Sequence, residues 1–393
     1  MAANKFFTIS LLKEKSTYAT LLLSFTLILC SGIATIAQTK KNKHQIIAIN
    51  AAEISTGTNS KAIINVTIIN GLGGEPLTEG CVLIKDGKIQ EVGKMSDVSI
   101  PAAAEITDAS GMYLLPGFID SHFHLDRTKG LPAKFLQHGV TSIRDPGAWI
   151  ESYDEERKSG KKIPRLFLTG PHFDMPPPAY PYDAYIVRDN YEAIKQVNAL
   201  ADQGATALKI YFRVPPGMIQ AICSTAHQRG IPVTAHLEIT EAMIAIEAGL
   251  DGVEHITSFG LSLLPKREGE KYRQGMLADN NFRKPGRYNM WKDININSAA
   301  ADSLSRYLVR KGTFVSPTLG PFEYQASNGP VDSAKLSGFN NMKAMTAKFN
   351  KAGVRLVLGS HSMIPYAEEG KAYKRKIKKW VGQRCILHVL QMN

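Results

Sequence analysis

PGFIDSHFHLD, residues 116–126, follows the apolar run YLL and carries two histidines one residue apart. In an extended strand, residues i and i+2 point to the same face. His122 and His124 can therefore aim both imidazoles at one point, which is half of a metal site. Polar strand ends carry histidines for other reasons as well, so the pair alone divides evenly between metal binding and a plain structural role. Downstream, short β-like runs end in further residues able to bind or assist a divalent metal: ATALKIYF with Lys209, IPVTAHLE with His236 and DGVEHITSF with His255. Each follows a helix-like segment closed by glycine, so the order reads strand, helix, strand, helix. Repeated ligand candidates at strand C-termini are hard to ascribe to chance.

At 393 residues, 44% hydrophobic and 21% charged, the chain is an ordinary globular protein, long enough for one large domain and a small one. The formal charge of +12 suggests nucleic acid until it is located. Residues 1–43 carry six lysines against Glu14, and residues 371–393 carry seven Lys or Arg and no acid. These two ends hold the whole excess, the body between them is formally neutral, and a nucleic-acid face is rejected. At the first end, lysines precede ATLLLSFTLILCSGIATIA, the layout of a secretory signal peptide over residues 1–37. The run also approaches spanning length, so an uncleaved anchor is the competing reading. Once Cys30 is removed with the leader, Cys81, Cys223 and Cys385 are an odd, scattered set, neither a disulfide framework nor a metal motif.

Residues 38–61 read as a linker. Residues 62–113, which open with AIINVTIINGLGGEPLTEGCVLIKDGKIQEVG, read as a small β-domain, with Gly73-Gly74 and Asp86-Gly87 as turn signals. From 114 to 370 the candidate strands are LLPGFID, VTSIRD, RLFLTG, ATALKIYF, IPVTAHLE, DGVEHITSF, TFVSPTL and RLVLGS. Between them lie helix-like stretches such as NYEAIKQVNALADQG and PPGMIQAICSTAHQRG, ending in glycine. Eight strands with intervening helices predict an α/β protein built on a (β/α)8 TIM-like barrel, with the active site where the strands end. Two stretches interrupt the rhythm: HFDMPPPAYPYDAY, whose His172 could reach the site, and the polar run from Pro265 to about Ala300. Each is a substrate wall or a plain surface insertion. His138 and His227 belong at helix ends, and Tyr211 either orients a carbonyl or is an ordinary barrel tyrosine.

These residues resemble the amidohydrolase superfamily of metal-dependent hydrolases, in particular its imidazolonepropionase-like and prolidase-like branch. The family pattern is a small β-sandwich, PGxIDxHxH, a lysine on strand four, histidines ending strands five and six, and an aspartate ending strand eight. The resemblance covers roughly residues 62–373. It implies that His122 and His124 bind a first metal, that Lys209 bridges two metals as a carbamate, and that His236 and His255 bind the second, with Asp120 in support. A protonated lysine has no lone pair, so Lys209 can serve a metal only when neutral or carbamylated. Neutral imidazoles suit Zn2+, and zinc brings the pKa of a coordinated water to about 7.

Two departures stand out. Where the family reads like GTDS, this chain reads GSHS, which puts His361 in the aspartate's place as ligand or proton carrier. After Tyr373 the family continues into helices and the strands that complete its β-sandwich, whereas this chain has an atypical basic tail over 371–393 and stops. The expectation is a C-terminally truncated chain with an incomplete sandwich and exposed strand edges. The overall expectation is a secreted, periplasmic, metal-dependent hydrolase that cleaves a C–N bond in a small amide, cyclic amide or dipeptide-like substrate, with no nucleic acid and no stable membrane partner after signal cleavage. A homo-oligomer is compatible with it. The alternative is a metal-binding relic of the same family that has lost turnover; a lyase or isomerase on the same barrel is a remoter one.

Overall fold

The computed structural model describes residues 46–50, 59–125, 130–324, 330–362 and 364. The run read as a signal peptide and the basic tail lie outside these residues. Part of the expected linker is docked rather than free. Ile49 N donates to Leu166 O at 2.8 Å, and the buried Asn50 side chain accepts from Leu166 N and donates to Pro164 O. No helix among the described residues is long and apolar enough to cross a membrane.

The N-terminal strands β1 (Lys61–Ile68), β2 (Leu77–Lys85), β3 (Lys88–Lys94), β4 (Glu105–Asp108) and β5 (Tyr113–Leu114) form one five-stranded sheet. β2 and β3 are antiparallel across Asp86 and Gly87, whose φ values of 51° and 71° are the left-handed pair a two-residue hairpin needs. Alternation along β2 sends Cys81 and Leu83 to one cluster, with Ala62 and Val98, and Val82 to another, with Val66, Ile68 and Ala109. Ala62 and Val66 would share a face in a regular strand. The register shift between Ile63 and Val66, with Asn65 at φ 57°, reverses that parity so that β1 serves both clusters.

The rest of the protein has a separate, larger core around parallel strands. β6 (Phe118–Asp120), β7 (Val140–Asp145) and β8 (Arg165–Leu168) make one sheet. β9 (His172–Asp174), β10 (Ala184–Ile186), β11 (Leu208–Ile210), β12 (Val233–His236), β13 (Gly252–Glu254) and β14 (Phe314–Ser316) make another, in the order β10-β9-β11-β12-β13-β14. Thr206 N donates to Leu168 O at 2.9 Å, linking the first sheet to the entry of β11. At the other side, Val315 bridges Leu356 and Ser121 N donates to Leu358 O at 2.9 Å.

Helices cover these strands for local reasons. Asn190–Asp202 starts where the Asp189 carboxylate accepts from Glu192 N, while Glu192 reaches back to Arg188 N. It buries Ala193, Val197 and Leu200, spaced at helical intervals. Pro216–Gln228 opens on proline and buries Met218, Ile219, Ile222, Cys223 and Ala226. Full burial of each large apolar side chain contributes about 1.5–3 kcal/mol.

Several sequence expectations need correction. LLPGFID is not one strand: β5 pairs with β1, β6 with β7, and Leu115–Gly117 connects the two sheets. HFDMPPPAYPYDAY contributes β9 and β10 to the larger sheet, and the polar run after Pro265 forms two helices, Lys266–Ala278 and Arg283–Lys292. RLVLGS forms no strand of its own and pairs with β14 through the bridge at Leu356, with Leu358 O accepting from Ser121 N. The chain there is turned by a close approach: a Cβ on Gly359 would overlap the Cβ of His122 and come within 2.9 Å of Ser316 Oγ. Gly359→Ala is therefore expected to cost about 1–3 kcal/mol by overpacking and to displace His122. An unchanged urea midpoint for this variant would contradict the packing described.

Candidate metal centre

Most of the sequence-predicted site residues lie at the C-terminal ends of the parallel strands. His122 and His124 follow β6, Asp145 ends β7, Lys209 lies on β11, His236 ends β12, and His255 follows Glu254 at the end of β13. His361 follows the bridge at Leu356. The alternation that aims His122 and His124 together holds, with their Nε2 atoms 3.1 Å apart. His361 joins them. Its ring stacks on His122 at 5.2 Å and meets His124 edge-on at 4.7 Å, and its N–H donates to His122 O at 2.6 Å. One nitrogen from each of His122, His124 and His361 falls within 4.8 Å of the others, so the three can hold a metal ion.

His255 lies against the same group, its ring 4.7 Å from His122 and 5.6 Å from His361. His236 is one step further out. Its ring is 4.4 Å from His255, while its Nε2 lies 3.0 Å from Glu238 Oε1 and 3.2 Å from Arg287 Nη2 rather than facing the other histidines. His172 is buried with its ring 4.5 Å from Tyr211, whose ring is 4.7 Å from His236.

Burial makes these histidines neutral. It drives His122 and His255 well below the ordinary imidazole range, lowers His124, and brings His172 and His236 to about 3. The charge of Lys209 pushes all five the same way. Lys209 itself is brought to about 8 by burial, against the pull of Glu254 and Asp145. The donor set fits a borderline cation such as zinc. His122 Nδ1 lies 2.7 Å from a Glu254 oxygen, and donation to that carboxylate leaves Nε2 with its lone pair toward His124.

Sequence reasoning missed Glu254. Adjacent residues of a regular strand face opposite ways, yet Glu254 bonds His122 and His255 packs on it. The reason is His255, whose φ of 64° breaks the alternation. Glu254 is completely buried, and burial alone would raise its pKa; Arg144, which donates to it, and Lys209 lower it instead. Arg144 also donates to Ser121 O at 2.8 Å and Thr234 Oγ1 at 3.2 Å. Asp145 accepts from Leu125 N and Tyr153 Oη, and its other oxygen lies 3.7 Å from His124 Nδ1. The polar pair closing VTSIRD was the available signal for Arg144 and Asp145.

Around His236, Glu238 is buried and pairs with Arg287 at 2.6 Å, and Tyr272 Oη donates to it. Burial would raise its pKa, but Arg287 and the hydrogen bonds hold it at about 2. A carboxyl lowered in this way adds stability above pH 4.5 that is lost only as pH falls toward 2. Arg287→Met strands the carboxylate, an effect of about 3–5 kcal/mol at pH 7.5. Without the cation burial dominates and the carboxyl's pKa rises, so ionising it costs stability as pH climbs past 4.5. The deficit against wild type should be larger at pH 7.5 than at pH 4.5 in urea unfolding. An equal deficit at both would mean that the pair is not what Arg287 supplies.

Residues 113–265 match the model of the amidohydrolase family. An adenine deaminase of Listeria welshimeri is 40% identical over 85 residues, 21% of this chain and 14% of that enzyme. An N-acetylglucosamine-6-phosphate deacetylase of Lysinibacillus sphaericus is 26% identical over 223 residues, 50% of this chain and 56% of that enzyme. Both matches span less than two thirds of the relative. Among solved structures, a putative prolidase from Bifidobacterium longum superposes with a TM-score of 0.61 at 21% identity, covering 84% of this chain and 82% of that one. The signature stretch lies inside the residues that match the amidohydrolase model, so this part of the chain is similar to that family, and the fold around it is similar to that solved structure.

Proposed function

We propose that this protein is a metal-dependent hydrolase of C–N bonds in small amides, cyclic amides or dipeptide-like substrates, working at the mouth of a (β/α)8 barrel closed through the bridge at Leu356. The observation that carries this reading is the convergence of imidazoles from His122, His124, His255 and His361, those of His122 and His255 buried and held neutral, beside a buried lysine and carboxylate at strand C-terminal ends.

His122 and His124 would hold a divalent ion, Zn2+ by the chemistry of the donors, with His361 as the available third ligand. His255 and a carbamylated Lys209 would extend the site toward a second ion, with His236 beside His255. A bound ion supplies Lewis acidity to a substrate carbonyl and acidifies the attacking water. The chain's own residues do the rest. Glu254 accepts from His122 Nδ1 and fixes which nitrogen faces the site, and Arg144 holds Glu254 in turn. Asp145 holds the backbone after His124 through Leu125 N. His361, at the edge of the cluster and only half-buried, would either complete the ligand set or, free of the ion, take the water's proton and return it to the leaving amine, as a neutral imidazole can near pH 7. Deaminase, deacetylase and prolidase relatives support C–N hydrolysis as the reaction class.

Protein expressed with zinc and bicarbonate should contain bound metal by elemental analysis, and the double variant His122→Ala/His124→Ala should lose it. Wild type should release amine from at least one member of a panel of N-acyl amino acids, cyclic amides and Xaa-Pro dipeptides. His361→Ala should lower that turnover by about 10²- to 10⁴-fold, the range of a lost general base. Wild type that binds no metal would end the metalloenzyme reading. Metal-loaded wild type inert across the panel would favour the relic.

A further inference from the structure

Residues 175–183 run from the end of β9 to the start of β10 and include Pro176, Pro177, Pro178 and Pro181. A proline has a fixed φ and no N–H, so the stretch is stiff and short of donors. It is fastened instead through its carbonyls. Pro177 O accepts from Asn280 Nδ2 at 2.9 Å, and Tyr182 O accepts from Trp149 Nε1 at 2.9 Å. At its base the buried Asp174 carboxylate gathers Met175 N at 3.0 Å, Ala179 N at 3.1 Å and, from just beyond β11, Arg213 N at 3.3 Å.

Asn280 closes a ring. It stands in the turn between the helices Lys266–Ala278 and Arg283–Lys292, and its Oδ1 accepts from Arg213 Nε at 2.9 Å and Nη2 at 2.7 Å. Arg213 Nη2 also donates to Met276 O at 2.9 Å. Asp174, the Pro-rich stretch, Asn280 and Arg213 thus form one closed circuit of hydrogen bonds among three segments distant in sequence. An amide suits both ends, since it gives a proton to Pro177 O and takes protons from Arg213. The helical side is fixed independently, by Arg287 on Glu238 at 2.6 Å and by Arg273 Nε on Ile239 O at 3.1 Å, both just after β12. The helices are therefore the post, and the Pro-rich stretch hangs from it at Asn280.

What lies beneath gives this fastening its consequence. Tyr180, 46% exposed, has its ring 6.5 Å from His172 and 5.8 Å from Tyr211, and the Tyr211 ring is 4.7 Å from His236. His172 is only 4% exposed, with Nε2 lacking a hydrogen-bond partner. On this flank the Pro-rich stretch is the layer between solvent and the site. We propose that the Arg213–Asn280 clasp governs access there: it holds the stretch down over His172 and Tyr211 and so restricts the protein to substrates whose group beside Tyr180 is small. The size restriction rests on the hydrolase reading above; the clasp stands on its own geometry.

Carbethoxylation of His172 by diethyl pyrocarbonate at pH 7, read by peptide mass spectrometry, measures the cover without requiring activity, because burial brings that imidazole to about 3 and keeps it neutral. Asn280→Asp keeps an acceptor for Arg213 but loses the donor to Pro177 O, which frees the stretch without unpairing the arginine. His172 should label slowly in wild type and about 3- to 10-fold faster in Asn280→Asp, the order of one lost hydrogen bond. The exposed His138 should label alike in both. Trp149→Phe, which keeps a ring against Tyr185 and drops only the N–H to Tyr182 O, serves if Asn280→Asp does not fold, and should raise His172 labelling several-fold. Alongside, the ratio of kcat/KM for bulky over small N-acyl amino acids should rise about 3- to 10-fold in Asn280→Asp, through KM rather than kcat. His172 labelling equal in wild type and both variants overturns the clasp. Faster labelling with an unchanged substrate ratio overturns its control of substrate size. If neither protein hydrolyses any substrate, the hydrolase reading fails, and the labelling rates still decide whether the clasp governs access.

Discussion

The buried carboxylate of Glu254 is the group on which the centre depends. It is taken out of water entirely, which is tolerable only because Arg144 donates to one oxygen, His122 lies 2.7 Å from the other, and Lys209 adds positive charge nearby. In turn it orients His122 and ties β13 to β7 and to the residues after β6. Removing any member leaves the others desolvated and unpaired, so the arrangement is cooperative in the sense that a half-satisfied polar network is worse than none.

Backbone strain collects at the same place. His255, Thr318 and His361 all have positive φ without being glycine, at 64°, 42° and 52°. Such conformations cost on the order of 1–3 kcal/mol each and persist where surrounding structure over-determines them. At His255 the effect is plain, since consecutive residues Glu254 and His255 both reach His122. At His361 the chain leaves the parallel strands with its N–H on His122 O, just beyond Gly359, which must lack a Cβ for the approach to be possible.

A second ring of charge lies outside the histidines. Glu238 is matched by Arg287 and Tyr272, and the outer aromatic group of Tyr180, Tyr211 and Phe212 holds Arg283. Arg287 meets a carboxylate, whereas Arg283 meets a hydroxyl and ring faces. Both come from a stretch whose sequence, read alone, is merely polar. Residues of that kind reach a site only once a helix forms and brings one face against the strand ends.

The His122 and His124 pair, the neighbouring candidates at strand ends, and the helices Asn190–Asp202 and Pro216–Gln228 were legible in the sequence, because side-chain periodicity of 2 and 3.6, glycine stops and the Asp86-Gly87 turn are properties of neighbouring residues. The short strands hidden in HFDMPPPAYPYDAY were not, since three residues of strand carry too little pattern to be recognised without their partners. Nor was the reach of Glu254 to His122, across 132 residues, or of Asp120 to Ser360 N, across 240. The sequence by itself determined which residue types stand at which strand ends. Tertiary structure decided which nitrogens meet, that His361 joins the first pair while His236 turns to Glu238, and which arginine meets that carboxylate. Those outcomes depend on distances closed by packing and on burial that sets each charge, and neither is a property of any local stretch of chain.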